Sequence, residues 1–344
     1  MTMLRAAAFA GGWSVPSARF RVRQYIPALE DHGVRLVEQP CWFGKYPPMS
    51  RLGRPFWAAA ALSERAWRIA NVRHYDVVLL QRELISKLIS FEPYIRSPVV
   101  LDVDDAIYLF RNGTVARRLA RIASAIVCGN AELAEHFSRW NGSVRIIPTA
   151  IDTERYMPRS VTGSECQPTT PVVIGWIGTS SNLFELEAIE PALATVLQQI
   201  PQARLRVVCD RAPRLSSLNR AQVEHVAWSA ANETADIQAM DVGIMPLRDS
   251  LWARGKCSFK MLQYMACGLP VVVSPVGMNA EIARFGECAL TPSSCDDWAD
   301  DLIELCRDRP RQAAMGRMGR RIALERFSVD VLAPQLAQVI KGVR

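Results

Sequence analysis

Short apolar runs alternate with longer amphipathic stretches along most of this 344-residue chain. The runs are rich in Val, Ile, Leu and Ala and lack strict polar alternation, which is typical of strands buried on both faces of a parallel sheet. We therefore predict strands in two series. The first covers residues 4–10, 34–37, 76–80, 99–103, 125–128 and 144–147, and the second covers 172–177, 204–208, 242–247 and 271–273.

Apolar residues at three- and four-residue spacing predict helices between most of these strands. Strands that alternate with helices indicate parallel α/β sheets. Residues 296–343 are helical in character, with predicted breaks at Pro310, near Ser328 and at Pro334. The other predicted helices cover residues 17–32, 55–71, 115–123, 131–140, 183–199 and 258–267.

A stretch rich in Ser, Thr, Gly and Pro, from Arg159 to Pro171, separates the two series. Such polar, breaker-rich composition is typical of a linker, and the chain is long for a single core. We predict a first Rossmann-like domain over 1–165, a second over 166–325, and a C-terminal helix over 326–344 that packs back toward the first.

The net charge of +7 indicates an anionic partner or surface, such as a phosphorylated substrate, acidic lipid headgroups or nucleic acid. Nucleic acid is disfavoured because no zinc-finger or RNA-recognition motif is present. No apolar run reaches the roughly 20 residues of a membrane-spanning helix. The N-terminal MTMLRAAAFAGGW is interpreted as a buried strand rather than a signal peptide, so a cytoplasmic location is expected.

Metal-binding patterns are weak in this sequence. The nine cysteines contain no Cys-x-x-Cys pair and the four histidines are isolated, so reduced, mostly buried thiols are expected and a structural zinc site is not. Asp102, Asp104 and Asp105 follow the apolar residues Val99–Leu101 and suggest two alternatives. They either hold a divalent metal on nucleotide phosphates or form a solvated turn with a helix cap.

The stretch from Ala253 to Gly277 carries the most chemistry. It reads ARGKCSFKMLQYMACGLPVVVSPVG and follows a predicted strand, with Ser258 as a candidate N-cap and Gly268 at the helix exit. Open α/β sheets bind ligands at the carboxyl ends of their strands, and a helix start favours phosphate. We therefore predict an anion site formed by Arg254, Gly255, Lys256, Ser258 and Lys260.

This stretch resembles the donor-binding segment of family-4 glycosyltransferases, which have the GT-B fold. The resemblance continues in PVVIGWIGTSSNLFELEAIEPAL (171–193), which is similar to the start of the donor domain. VVLDVDDAIY (99–108), AIVCGNAELAEHF (125–137), VRIIPTAIDTERY (144–156) and SARFRVRQYIPALEDHG (17–33) resemble parts of the acceptor domain. It implies two Rossmann-like domains whose parallel sheets face each other across a cleft.

The chain departs from that family at two places. Many members carry two glutamates, whose positions are taken here by Gly255 and Gln263. Gln263 is expected to hydrogen-bond a ribose or sugar hydroxyl. The first donor-domain turn, with Gly178, Thr179 and Ser180, lacks the usual cations, so we expect its backbone N–H groups to bind pyrophosphate. Lys256, with Arg254 or Lys260, should supply the charge.

The first domain carries further candidate site residues. Asp104 and Asp105 are predicted to orient the acceptor hydroxyl or donor sugar without a metal, and Arg19 and Arg21 to bind an acceptor phosphate or the donor. The segment CWFGKYPPMSRLGRPFW, residues 41–57, mixes aromatic and basic residues. It is either a mobile acceptor-side loop or a peripheral contact with the inner face of the membrane.

The expected function is transfer of a sugar from a UDP- or GDP-linked donor to a glycan or lipid-linked acceptor. Retention of configuration is implied by the resemblance, and Lys256 is expected to act on the leaving diphosphate. No cofactor other than the nucleotide sugar is expected. A non-catalytic partner in a glycan-assembly complex and a nucleotide-sugar epimerase are the alternatives.

Overall fold

The computed structural model describes residues 3–13, 15–159 and 171–344. The chain divides into two compact units. The first runs to Ala150 and also contains Arg254–Cys257 and Val329–Arg344, while the second comprises Ile151–Ala253 and Ser258–Ser328. The first unit ends ahead of the predicted linker, most of which, residues 160–170, lies outside the described residues.

The first unit contains a six-stranded parallel sheet in the order β2-β1-β3-β4-β5-β6. Three of its four inner strands are buried along their whole length, because parallel sheets are covered on both faces. This explains the continuous apolar runs in the sequence. The strands are β1 (Leu4–Ala10), β2 (Val34–Pro40), β3 (Val77–Gln81), β4 (Val99–Val103), β5 (Ala125–Cys128) and β6 (Val144–Ile146).

The helices of the first unit are α1 (Pro16–Arg21), α2 (Ile26–Asp31), α3 (Arg54–Asn71), α4 (Thr114–Ile122) and α5 (Ala131–Ser138). The predicted single helix over 17–32 is wrong, because a 3-10 turn at Arg23–Tyr25 interrupts it. Short 3-10 segments also lie at Val72–His74, Glu92–Tyr94 and Ile107–Gly113.

The C-terminal helix α14 (Val329–Gly342) contributes to the core of the first unit. Its apolar face places Leu332, Leu336 and Ile340 among the buried residues. The predicted break at Pro334 is wrong, since the helix continues through it. Tertiary packing of the apolar face outweighs the one backbone hydrogen bond that proline removes.

The second unit contains another six-stranded parallel sheet, in the order β12-β11-β10-β7-β8-β9. Two edge strands were absent from the prediction: one is polar and the other contains only two residues. The strands are β7 (Val173–Ile177), β8 (Arg204–Cys209), β9 (Val223–Ala227), β10 (Val242–Met245), β11 (Val271–Val273) and β12 (Ala289–Leu290).

The helices of the second unit are α6 (Leu183–Glu187), α7 (Glu190–Gln199), α8 (Glu233–Gln238), α9 (Leu251–Arg254), α10 (Phe259–Ala266), α11 (Met278–Ala283), α12 (Cys295–Arg307) and α13 (Arg309–Ile322). The predicted helix over 183–199 is divided into two, and a short helix, α9, interrupts the loop predicted over 248–257. Short 3-10 segments lie at Ser180–Asn182 and Arg220–Gln222, and a π-helical turn lies at Ala323–Phe327.

The exit of α10 confirms a specific prediction. Gly268 has a φ of 73°, a left-handed conformation that glycine adopts without a Cβ penalty. Its N–H donates to the Met265 carbonyl, and the Leu269 N–H donates to that of Tyr264. The chain then enters β11 through Pro270, as the sequence indicated.

Candidate functional site

The carboxyl end of β7 in the second unit carries a cation next to a glycine turn. The Lys260 Nζ lies 4.9 Å from the centroid of the Trp176 ring, within cation–π range. A Cβ added to Gly178 would come within 2.5 Å of that ring and 2.8 Å of Lys260 Nζ. Glycine at 178 therefore leaves the space in which the ammonium group lies, at the strand end where α/β sheets bind ligands.

The backbone N–H groups of this turn are less available to a ligand than the sequence suggests. Ser180 donates from its backbone N–H and its hydroxyl to the Asp210 carboxylate, both at 2.7 Å, and these bonds lower the pKa of Asp210. The Gly178 N–H donates to Val208 in the sheet. Both amides are thus used internally, and the prediction that they bind pyrophosphate does not fit this structure. Thr179 is exposed, and its hydroxyl bonds to Ser181 and Asn182.

Helix α10 begins differently from the predicted cap. Ser258 occupies the N-cap position but is buried and left-handed, with φ 48°, and its side chain makes no capping hydrogen bond. Lys260, in the first turn of this helix, contributes the ammonium group described above.

Gln263 is part of a buried network in the second unit and is only 3% exposed. Its Nε2 donates to the Tyr156 hydroxyl at 3.1 Å. Tyr156 in turn bonds to Glu233, which also accepts from Trp228 Nε1 at 3.1 Å. The predicted contact of Gln263 with a ribose or sugar hydroxyl is therefore wrong for this structure, because the amide is enclosed and paired.

Residues Arg254–Cys257 belong to the first unit, where they pack tightly on the loop after β4. A Cβ on Gly255 would come within 2.7 Å of Ala106 Cβ and 3.1 Å of its backbone nitrogen. The missing glutamate thus has a steric explanation: no side chain fits at 255 beside Ala106. Asn130 Nδ2 holds this segment by donating to the carbonyls of Arg254 and Lys256, at 3.1 and 3.0 Å.

Cys257 completes this contact from the other side. Its thiol donates to the Asp104 carbonyl at 3.3 Å. A Cβ on Gly129 would lie 2.2 Å from the Cys257 sulfur, so glycine is needed there as well. Two glycines therefore permit residues 254–257 to approach the Asp104–Ala106 loop closely.

Asp104 and Asp105 are both paired with Arg82. The guanidinium lies 3.2 Å from Asp104 Oδ1 and 2.8 Å from Asp105 Oδ2, and Arg82 itself adopts a left-handed φ of 60°. Desolvation and the neighbouring Asp104 raise the pKa of Asp105 to about 6, against the opposing charges of Arg82 and Lys256. The Asp105 carboxyl is thus protonated more readily than an ordinary aspartate.

Sequence reasoning missed the other members of this cluster, Arg82, Glu83 and Lys45. Lys45 is 1% exposed, and its Nζ lies 3.4 Å from Glu83 Oε1. Burial, together with the nearby Arg82 charge, lowers the pKa of Lys45 to about 8. The only available clue was the position of Arg82 and Glu83 after an apolar strand, on the edge where Asp104 also lies.

Arg21 is buried and has a structural role. It is 3% exposed and lies at the end of α1. Its Nε donates to both oxygens of Asp102 at 3.1 Å, and its Nη1 to the Ile147 carbonyl at 3.0 Å. The predicted contact of Arg21 with an acceptor phosphate is therefore wrong, because the guanidinium is used inside the core. Arg19 is half-buried, with its guanidinium 4.2 Å from the Phe20 ring centroid.

Asp102 in β4 and Asp104 after it do not form a chelating pair, because Asp102 is held by Arg21 and Asp104 by Arg82. Among residues 3–13, 15–159 and 171–344, no group of three or more His, Cys, Asp or Glu side chains is placed to hold a metal ion. The described cysteines are free thiols, and all but Cys295 are buried.

The chain is similar to known proteins both in sequence and in fold. Residues 171–308 match the model of the family described as Glycosyl transferases group 1. The whole chain superposes on Anabaena Alr3699/HepE, solved in complex with UDP and glucose, with a TM-score of 0.70 at 17% identity, covering 98% of this chain and 100% of the other. Sucrose-phosphate synthase from Thermosynechococcus elongatus gives a TM-score of 0.73 at 16% identity, covering 98% of each chain. The chain therefore has the GT-B fold.

Two curated relatives are more specific. The GDP-mannose-dependent alpha-(1-6)-phosphatidylinositol monomannoside mannosyltransferase of Mycobacterium tuberculosis is 25% identical over 225 residues, 58% of this chain and 56% of the relative. The D-inositol 3-phosphate glycosyltransferase of Corynebacterium urealyticum is 25% identical over 237 residues, 62% of this chain and 54% of the relative. The chain spans about half the length of these relatives. The resemblance to GT-B glycosyltransferases is confirmed.

Proposed function

We propose that this chain is a glycosyltransferase that moves a sugar from a nucleotide-diphosphate donor to a glycan or lipid-linked acceptor in the cytoplasm, with retention of configuration and without a metal. The observation that carries the proposal is the Lys260 ammonium at the Gly178 turn. It lies in the unit whose sequence matches the glycosyltransferase family model.

The proposed donor site uses Lys260 as the main cation for the diphosphate. Gly178 and Thr179 form the wall of this site, and Trp176 holds the ammonium group in place. Support for the ligand class comes from Anabaena HepE, which was solved with UDP-glucose, and from the mycobacterial relative, which is named as GDP-mannose-dependent. The thermal-shift test identifies the base and the sugar.

The proposed chemistry is a front-face displacement. The bond between the anomeric carbon and the diphosphate oxygen breaks, a bond from the acceptor oxygen forms, and the acceptor proton passes to the leaving phosphate. Cations fixed next to the leaving group stabilise its developing charge. Lys260 is proposed for this role.

Asp105, in its carboxylate form, is proposed to orient the acceptor hydroxyl, with Asp104 as its neighbour. Arg82 fixes both side chains, since one guanidinium contacts the two carboxylates. Lys256 contributes to the same cluster by favouring the charged form of Asp105. Arg82 and Lys45 are positioning residues in this proposal.

The test is a thermal-shift panel of UDP- and GDP-sugars, followed by a product assay with the best stabiliser. We expect one nucleotide class to stabilise the protein and the sugar to appear on an added glycan or lipid-linked acceptor, with the anomeric configuration read by NMR. Absence of stabilisation by every donor would favour a non-catalytic partner. A converted sugar nucleotide without acceptor would indicate an epimerase, and inverted product would remove the front-face mechanism.

A further inference from the structure

Helix α3 of the first unit has its charged residues inside and its apolar residues outside. Glu64, Arg65 and Arg68 are buried, with Arg65 only 1% exposed. Phe56 and Trp67, on the opposite side, are 81% and 59% exposed. A helix on the surface of a water-soluble domain normally shows the reverse arrangement.

The outer face of α3 lacks charge from Pro55 to Asn71. Residues three, four and seven apart share one side of a helix, which places Phe56, Ser63 and Trp67 on one stripe. The remaining side chains of that stripe and its borders are Ala59, Ala60, Leu62, Ala66 and Ala70.

The buried charges have a structural role, which is to hold the preceding loop on α3. The Glu64 carboxylate accepts from the Trp42 N–H at 2.9 Å, and Arg65 Nη2 donates to the Gly44 carbonyl at 2.9 Å. The Arg68 guanidinium lies 4.7 Å from the Trp42 ring centroid. The Trp57 indole donates to the Phe43 carbonyl at 2.6 Å, which fixes the loop from a second side.

The loop so held adds further exposed apolar side chains. Met49 is 96% exposed and Leu52 is 87% exposed. Trp42, Phe43 and Tyr46 from the same loop are also exposed, as is Trp13, from a neighbouring segment in which Gly12 packs on the Cys41 carbonyl. Single exposed apolar residues are ordinary, but a concentration of this size marks an interaction surface.

The charge of this surface identifies its partner. From Cys41 to Ser63 the sequence contains no Asp or Glu, while Arg51 and Arg54 are exposed among the apolar side chains. Aromatic rings with arginines beside them fit the boundary between acyl chains and anionic headgroups. In the part of the chain that the structure describes, no helix is long and apolar enough to span a bilayer.

We propose that the outer face of α3 and the 41–53 loop form a docking surface for an anionic membrane. The helix lies flat in the headgroup region, with Phe56, Trp67 and the loop side chains inserted and Arg51 and Arg54 on the acidic headgroups. The surface lies within the first unit, so the inference does not depend on the proposed transfer reaction.

The experiment is co-sedimentation of the full chain with vesicles of phosphatidylglycerol and phosphatidylcholine, compared with vesicles of phosphatidylcholine alone. We expect binding to the anionic vesicles that weakens with salt. The double variant Phe56→Ser/Trp67→Ser should lower the partition coefficient about tenfold or more, from the lost apolar burial. Arg51→Gln and Arg54→Gln should each lower it about fivefold.

Tyr94→Ser is the matched control, because Tyr94 is an exposed aromatic residue of the same unit outside this surface. It should bind vesicles like the unaltered protein, and circular dichroism should show all variants folded. No binding to anionic vesicles, or equal binding by the double variant, would overturn the proposal. Self-association that is lost in the double variant, without vesicle binding, would instead assign the surface to a second copy of the chain.

Discussion

The carboxyl edges of the two sheets differ in how they use charge. In the first unit, Arg82, Asp104 and Asp105 lie together after β3 and β4, and the one guanidinium contacts both carboxylates. In the second unit, the corresponding edge at β7 has a glycine turn and the Lys260 ammonium on a tryptophan ring. One edge is a network of charges paired within the fold, and the other places a cation on an aromatic ring beside a glycine turn.

We propose that this difference separates structural charges from ligand-binding charges. A paired charge inside the protein is costly to expose or to leave alone, so Arg21 and Asp102 fix the position of α1 against the sheet. A cation held over an aromatic face retains its attraction for an anion. The account therefore predicts that substitutions in the first edge act mainly on stability or on Asp105, and those in the second act on the donor.

The largest expected effect is the loss of stability when the buried pair of Arg21 and Asp102 is broken. Asp102→Ala leaves the Arg21 guanidinium buried without its carboxylate and should lower the free energy of unfolding by about 3–5 kcal/mol. Urea denaturation measures this loss. Asp300→Ala, at an exposed position in α12, is the control and should change stability little. A loss below about 1 kcal/mol, the value of a surface pair, would show that the pair is not structural.

The next effect concerns the second edge. Lys260→Ala removes the cation proposed to stabilise the leaving diphosphate and should lower kcat about 10²–10³-fold, with the unfolding transition unchanged. Steady-state kinetics with the preferred donor provides the measurement. Lys341→Ala, an exposed lysine on α14, should behave like the unaltered protein. Equal turnover by Lys260→Ala and Lys341→Ala would remove Lys260 from the mechanism.

A smaller effect is expected at the close contact in the first unit. Gly255→Ala places a methyl group 2.7 Å from Ala106 Cβ and should lower the free energy of unfolding by about 1–3 kcal/mol. Gly142→Ala is the matched control, because a Cβ there meets nothing within 4 Å. If both variants have the same stability, the steric explanation for glycine at 255 fails.

The smallest effect is a shift of pH dependence. With its pKa raised to about 6, Asp105 is mostly protonated below that pH, so kcat/KM should fall as the pH drops below about 6. Because Lys256 lowers this pKa, Lys256→Ala should move the acidic limb to higher pH. A pH–rate profile tests both, and Asp105→Asn should lack the limb. If the acidic limb does not move in Lys256→Ala, the limb does not arise from Asp105.

The raised pKa also has a defined effect on stability. Between the unfolded value of 3.8 and about 6, the folded protein binds more protons at Asp105 than the unfolded chain does. This contribution therefore favours folding at the acidic end and is lost as the pH rises through that window.

The sequence predicted the fold better than the site. Buried strands such as Val99–Val103 and Ala125–Cys128 agree with prediction residue for residue, because parallel strands covered on both faces leave a local apolar pattern. The edge strand Val223–Ala227 leaves no such pattern, since its side chains are half-buried or exposed. Local patterns therefore sufficed where burial was complete.

The fate of polar side chains depended on partners distant in sequence. Arg21 donates hydrogen bonds to Asp102, which lies 81 positions away in the sequence. Gln263 donates to Tyr156, which lies 107 positions away. Nothing near Arg21 or Gln263 in sequence distinguishes a buried partner from a ligand contact. The need for glycine at 255 could not be predicted from nearby sequence either. It arises from Ala106, which belongs to a different βα loop.

The most direct test of the central claim is a crystal structure of the protein with the nucleoside diphosphate that stabilises it best. The account predicts a phosphate oxygen within hydrogen-bonding distance of Lys260 Nζ, next to Gly178 at the carboxyl end of β7. A diphosphate bound elsewhere, with the Lys260 ammonium still resting on Trp176 and no phosphate beside it, would contradict the account.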